Sequence, residues 1–372
     1  MRFHEIRAAL NESAKPKQLT EAKVGREYNH LEDLVFIDGS AGALEAADIL
    51  DKLGSNSDDV AIKWDGNPTA YYGRDENGQF VFVGKNGWGK EKATSPEELA
   101  NFIMNTGKGE DWRKDFAQGM ANMFSIMEGA TPEDFRGYVF GDLLYHPGKP
   151  YTIEGDVVKF TPNQVEYTVK LDSELGKRIA ASKVGIVVHQ KYEEFGGKSG
   201  KPIKDVDELN NSPEVVVLGQ TYVSHQPEVD TSSVDKLRQD AKANAQLIDD
   251  FLQERQGLKD LRNIIYTYVN QKSKAKQLKD LETGFFDWLK NSKVSANKQK
   301  KIAELAQESP KALPIIFRLV KEIMAAKDDV IDQLDSADTD VKASTDGQSG
   351  GEGYVVQGSK TKLVPRTKWT PQ

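Results

Sequence analysis

The spacing of apolar and polar residues divides the chain into a sheet-like stretch, a long helical stretch and a short return to sheet. The first forty residues predict a short helix and a polar connector. Ser40 then precedes AGALEAADILDKL, where Leu44, Ala47, Ile49 and Leu53 trace an apolar stripe. Gly54 marks the stop, so the pattern predicts a helix capped by Ser40. DVAIKWD, TAYYG and QFVFVG read as strands, the last two joined through Asn77-Gly78, a strong hairpin signal. Ser95-Pro96-Glu97-Glu98 opens a helix with a cap, a first-turn proline and acids facing the helix dipole. Another helix is predicted from about Asp111 to Met127. Strands resume at GYVFGDLLY, DVVKFTP, QVEYTVK, KVGIVVHQ and PEVVVLG.

From about Ser233 to Leu334 the period changes to that of helices, through Ile248, Phe251 and Leu252, then Phe285, Phe286 and Leu289, then Ile315, Ile316, Leu319 and Ile323. SADTDVKASTDGQSGGEG reads as a flexible linker, after which EGYVV and TKLVP return to strand. The helices therefore interrupt a sheet protein. The expected organisation is 1–40 as helix and connector, 41–230 as core, 231–335 as helical insertion, 336–351 as linker and 352–372 as completion of the core.

Composition narrows the classes. The chain has 372 residues, 38% hydrophobic and 29% charged, with no apolar run near the roughly 20 residues a membrane helix needs. No membrane partner is expected. The absence of cysteine excludes disulfides, thiolate metal sites and a cysteine nucleophile, and His4, His30, His146 and His225 are too scattered for a zinc site. A net charge of −8 argues against a generally basic surface, yet Lys272 to Lys301 hold nine lysines against Asp280, Glu282 and Asp287. The last twenty residues carry Lys360, Lys362, Arg366 and Lys368 with no acid. Such patches suit phosphate met in one place, or merely solubilise helices.

The chemistry concentrates at Ile62-Lys63-Trp64-Asp65-Gly66. Read alone, this is a strand ending in an Asp-Gly turn. A lysine can also attack a phosphorus atom and later leave again, provided its amine is uncharged. An ordinary lysine keeps its proton to about pH 10.4, so burial and neighbouring positive charge must release it. Glycine after the acid lets the backbone turn closely. Downstream, in order, stand Gly84-Lys85-Asn86-Gly87, Phe140-Gly141-Asp142-Leu143, Val184 to His189, Glu352-Gly353-Tyr354-Val355-Val356 and Lys362-Leu363-Val364. Gly84 to Lys90 also matches the first seven positions of a P-loop. The next residue is Glu91 instead of Ser or Thr, so that reading fails.

KWDG resembles motif I (KxDG) of the covalent nucleotidyltransferases, the ATP-dependent DNA and RNA ligases and mRNA capping enzymes. FGDL resembles their motif III, VGIVVH sits in the place of motif IIIa, EGYVV is similar to motif IV and KLV to motif V. The stretch from about Leu31 to Tyr192 also looks like poorly characterised ligase-like bacteriophage proteins, which suggests a phage origin and a bacterial cytoplasm as the location.

The resemblance implies an α+β fold. Two mainly antiparallel sheets would form an ATP-grasp-like nucleotidyltransferase (ligase adenylation) domain, with the helices inserted. Lys63 would take up AMP. Ile62, Asp65, Gly66, Lys85, Asp142, His189, Glu352, Lys360 and Lys362 would bind the nucleotide. Asp65, Asp142 and Glu352 would serve Mg2+ or Mn2+. AMP would pass from ATP to a 5′-phosphate end, RNA ahead of DNA. Runners-up are DNA nick joining or another AMP acceptor, and an inactive phage structural or accessory protein that keeps the fold. The sequence departs from the family at Pro68, where many DNA ligases have arginine. In motif IIIa Val188 or His189 stands where an aromatic residue is expected. The chain also ends ten residues after Lys362, where no oligonucleotide-binding barrel is expected to fit, which points away from a conventional DNA ligase and towards an RNA-ligase-like or diverged enzyme.

Overall fold

The computed structural model describes residues 29–55, 59–105, 111–203, 205–223 and 225–366. The helix expected near the N-terminus and Lys368 lie outside them, apart from residues 29–40. Along the chain the strands are β1 (Asn29–His30), β2 (Val60–Ile62), β3 (Thr69–Arg74), β4 (Phe80–Gly84), β5 (Gly137–Tyr145), β6 (Thr152–Glu154), β7 (Val157–Phe160) and β8 (Glu166–Lys170). They continue with β9 (Val184–Tyr192), β10 (Lys201–Pro202), β11 (Val215–Leu218), β12 (Val341–Thr345), β13 (Gln348–Ser349), β14 (Tyr354–Val356) and β15 (Thr361–Leu363). The fold is mixed α+β, and the chain forms two compact units.

One unit holds residues 62–221 and 338–351. Its larger sheet runs β10-β9-β5-β3-β4, antiparallel throughout, with β11 added parallel to β9. Asp75 closes the β3–β4 hairpin by accepting the N–H groups of Asn77 and Gln79, while Gly78 takes the positive φ this turn needs. Helices Pro96–Asn105 and Asp111–Ala130 supply Leu99, Met123, Phe124 and Met127 to a core shared with Tyr72, Phe80 and Phe82. Ser95 accepts from the Glu98 N–H, the cap the sequence predicts for the first of these helices, and Glu98 in return accepts from both Thr94 donors. A second sheet, β13-β12-β8-β7-β6, is antiparallel. Residues 336–351 are thus not a plain linker. Val341 and Ala343 pair with Val169 and Tyr167, because β8 offers an edge that the alternating Val-Lys-Ala-Ser-Thr run can complete.

The other unit holds the described residues up to Ala61, then 222–337 and 352–366. Helices Leu34–Asp38, Ser40–Ser55 and those between Thr231 and Ser336 bury one apolar side each, with Ile316, Phe317, Val320 and Ile323 of the longest fully enclosed. A small sheet runs β1-β15-β14-β2. The helices are therefore not a separate insertion: the N-terminal helix and the EGYVV–KLV strands pack with them. Ser40 does not cap its own helix. Its N–H and hydroxyl both donate to the Asp249 carboxylate, so the cap comes from a helix two hundred residues away, where no local rule could place it.

Candidate functional site

The KWDG segment leaves β2 with its backbone fixed on both sides of Lys63. The Ile62 N–H donates to the Thr221 carbonyl at 2.8 Å. Trp64 is buried, its indole N–H on the Thr221 hydroxyl and its ring 4.6 Å from Tyr167 and stacked 6.2 Å from Phe160. Core packing, not base stacking, is the work of this tryptophan. Between these anchors Lys63 is half-buried.

Asp65 is 8% exposed, and both its carboxylate oxygens are engaged. One accepts from the Asn163 amide at 3.0 Å, the other from the N–H groups of Gln164 at 2.9 Å and Val165 at 3.3 Å. Its own N–H donates to the Tyr167 hydroxyl at 2.6 Å. Asp65 is thus the anchor of the loop 163–165. Beside it lies Lys149, to which no sequence motif points. Burial holds its amine below the usual lysine range, opposed by the charge of Asp65, and the ammonium donates to the Pro162 carbonyl.

Beyond Asp65 the chain lies along β5. The Asn67 N–H donates to the Leu143 carbonyl and the Leu143 N–H to that of Pro68. The contact at Gly66 is so close that a β-carbon there would sit 2.5 Å from that of Asp142, so the glycine is required by packing. Asp142 faces Thr69 across the β3–β5 ladder. Its Oδ1 accepts from the Thr69 hydroxyl at 2.7 Å, and its Oδ2 lies 3.0 Å from His189 Nε2. The pair is partly open, the side chains being 22% and 38% exposed.

Aromatic rings continue this face. Phe140 is 5.5 Å from the His189 ring and 4.9 Å from Tyr71, which stacks on Trp88 at 4.2 Å. Burial first, then Tyr192 and the charge of Asp142, push the Tyr71 phenol up to about 12. Val188 is buried on the opposite face, so His189 with Phe140 occupies the position where motif IIIa was expected to offer a ring. Sequence reading passed over Thr69, Tyr71 and Phe140 in this role. The signal was present as alternation, since Thr69 and Tyr71 on β3 must share a face with their partners Asp142 and Phe140. Lys85 is exposed on the turn that ends β4.

The remaining expected residues belong to the helical unit. Lys362 pairs with Val355 of β14 and with His30 of β1, and is half-buried. Lys360 shares its face and is exposed, while Thr361 and Leu363 between and beyond them are buried. Burial first, and then Arg366, Lys362 and Lys327, outweigh the opposing charge of Glu32 and keep the His30 imidazole well below its ordinary range. Glu352 is half-buried ahead of Gly353. That glycine has φ +111° and lies against the Leu363 carbonyl, which leaves no room for a side chain. So Asp142 and His189 stand on neighbouring strands of one sheet with Gly66 packed against Asp142, Lys63 and Asp65 lie in the loop that follows β2, and Glu352, Lys360 and Lys362 lie on or beside β14 and β15 in the other unit. Among the described residues no group of three or more His, Asp or Glu side chains could hold a metal ion, and no helix is long and apolar enough to cross a membrane.

The chain belongs to a family of unknown function, DUF6267, which it matches over residues 27–371. No curated protein and no solved structure matches it.

Proposed function

We propose that this protein is an ATP-dependent nucleotidyltransferase of the ligase type, with Lys63 as the residue that carries AMP. The observation behind this reading is the placement of the KWDG loop. It is pinned between Thr221 and the 163–165 loop and laid on β5, so that Gly66 backs onto an acid shared by Thr69 and His189. The Lys63 amine attacks the α-phosphorus and gives up its proton to solvent. A P–N bond forms as the Pα–O bond to the β-phosphate breaks, and pyrophosphate leaves. The adenylyl group then passes to a nucleic-acid 5′-phosphate, RNA ahead of DNA.

Asp142 keeps part of its carboxylate open, so it fits a ribose hydroxyl or a divalent cation. Asp65, with its oxygens engaged by the 163–165 loop, does not. Mg2+ or Mn2+ would offset phosphate charge, and such an ion is commonly met by one or two carboxylates plus the phosphates themselves. Lys85 of this unit supplies a cationic donor suited to developing phosphoryl charge.

A second reading is a scaffold that keeps the fold without the reaction. Its support is that Asp65, Gly66 and Gly353 each have a sufficient packing role. One experiment separates the two. α-Labelled ATP with magnesium should give an acid-labile, alkali-stable protein–AMP species in wild type and none in Lys63→Ala. Equal labelling of that variant would remove Lys63 from the role, and no labelling of wild type under any divalent cation would favour the scaffold.

A further inference from the structure

We infer that the surface of helices Leu261–Lys274 and Leu281–Asn291 binds single-stranded nucleic acid. The nine lysines of 272–301 are not one solvated, self-neutralised run. Lys298 pairs with Asp260 and Lys300 with Glu304, while the Lys301 ammonium reaches a carbonyl. Among the described residues Lys272, Lys274, Lys276, Lys279, Lys290 and Lys293 have no acidic partner. Of the three acids in the stretch, Glu282 is taken by Lys321, which leaves Asp280 and Asp287 against six cations. That concentration stands on a chain of net charge −8, so it is local and cannot reflect overall composition.

Two rings accompany the lysines. Phe286 is 43% exposed, one helical turn before Lys290. Trp288 is half-buried at the helix junction, its indole N–H on Gln271, next in the chain to Lys272. The Lys272 side chain crosses to the second helix and lies close against Gly284, one turn before Trp288. The apolar side of this helix, Leu281, Phe285 and Leu289, is buried. No apolar face is left to enter a lipid surface, and a membrane-bound helix needs one. Phe286, exposed with its ring 5.3 Å from that of Phe285, and Trp288, set among lysines without acidic partners, instead match a strand whose phosphates meet the cations while its unstacked bases reach the rings. A duplex keeps its bases stacked and withholds them. This inference does not depend on nucleotidyl transfer, because binding alone reports it.

The test is fluorescence anisotropy of the full chain with labelled 20-nucleotide RNA and DNA single strands, their duplexes, and phosphatidylserine vesicles as competitor, across a salt series. Replacing Lys274, Lys276 and Lys279 together by Gln should flatten the log–log salt slope by about 2, from roughly 0.7 per lost phosphate contact. At about 0.1 M salt this is roughly a hundredfold loss of affinity. Phe286→Ala should weaken binding about 5- to 100-fold with the slope unchanged. Circular dichroism matching wild type keeps both variants interpretable. Binding of either single strand with these responses carries the inference. It is overturned if wild type binds no single strand, if duplex or vesicle binds more tightly, or if the triple variant keeps wild-type affinity and slope.

Discussion

Replacing Asp65 separates a loop anchor from a metal ligand. In Asp65→Ala three hydrogen bonds to a buried carboxylate disappear, from the Asn163 amide and the Gln164 and Val165 N–H groups. Bonds to a charged acceptor contribute roughly 1.5–3 kcal/mol each, and the freed Val165 N–H, in a fully buried residue, keeps its desolvation penalty. Part of the loop can relax towards water, so the loss should be about 3–6 kcal/mol. Against a domain stability of roughly 5–15 kcal/mol this is large. Asp65→Asn retains one oxygen acceptor but turns an amide donor towards donors, and should lose roughly 2–3 kcal/mol. Urea unfolding followed by tryptophan fluorescence measures both, and adenylylation is then assayed on Asp65→Asn at low temperature, where it stays folded. An anchor predicts clear destabilisation with labelling kept within about tenfold. Wild-type stability together with abolished labelling across a magnesium titration would refute the anchor and restore Asp65 as a ligand.

Two further outcomes follow from buried charge. His146 is 7% exposed and its Nδ1 accepts the Gly148 N–H, so burial first and then Lys149 lower its pKa from 6.5 to about 4. The folded state favours the neutral ring. The unfolded chain therefore binds the extra proton, and stability present above pH 6.5 is lost as pH falls towards 4, by roughly 3 kcal/mol at about 1.36 per unit. The stability difference between wild type and His146→Asn should follow that window in urea titrations, and a flat difference would contradict it. In the helical unit Lys327 and Glu32 are fully buried together, and Glu32 also accepts from Arg366. Lys327→Met should cost about 3–5 kcal/mol by leaving excess buried negative charge. A loss below about 1 kcal/mol in the same assay would show the network to be relaxed.

Much of the fold was legible because local patterns agreed with it. The Asn77-Gly78 hairpin and the Ser95 cap form as their residues predict, since each is closed by groups within five residues. What was misread depends on distant partners. Ser40 looks like a cap until Asp249 arrives from the far end of the sequence. Residues 336–351 look like a linker because their composition is polar, and Val341–Thr345 becomes strand only because β8 has an edge for it to pair with. The helices look like an insertion because they follow the sheets in order. Burial of Glu32 and Asp33 against Lys327 and Arg366 ties the start, the helical stretch and the end of the chain into one unit.

The candidate site divides along the same line. Motif spacing picks out Lys63, Asp142 and His189, and the Asp142–His189 contact exists because β5 and β9 are neighbours in the sheet. Spacing alone could not tell an open acid from an engaged one. Asp65 and Asp142 are equivalent as letters, yet one is sealed by three N–H donors and the other shares its oxygens with a hydroxyl and an imidazole while staying partly open. Only the second keeps part of its side chain open to solvent. The chemistry proposed for Lys63 therefore leans on Asp142 and its rung across β3, β5 and β9, while the acid two residues after the lysine works by holding the loop that presents it.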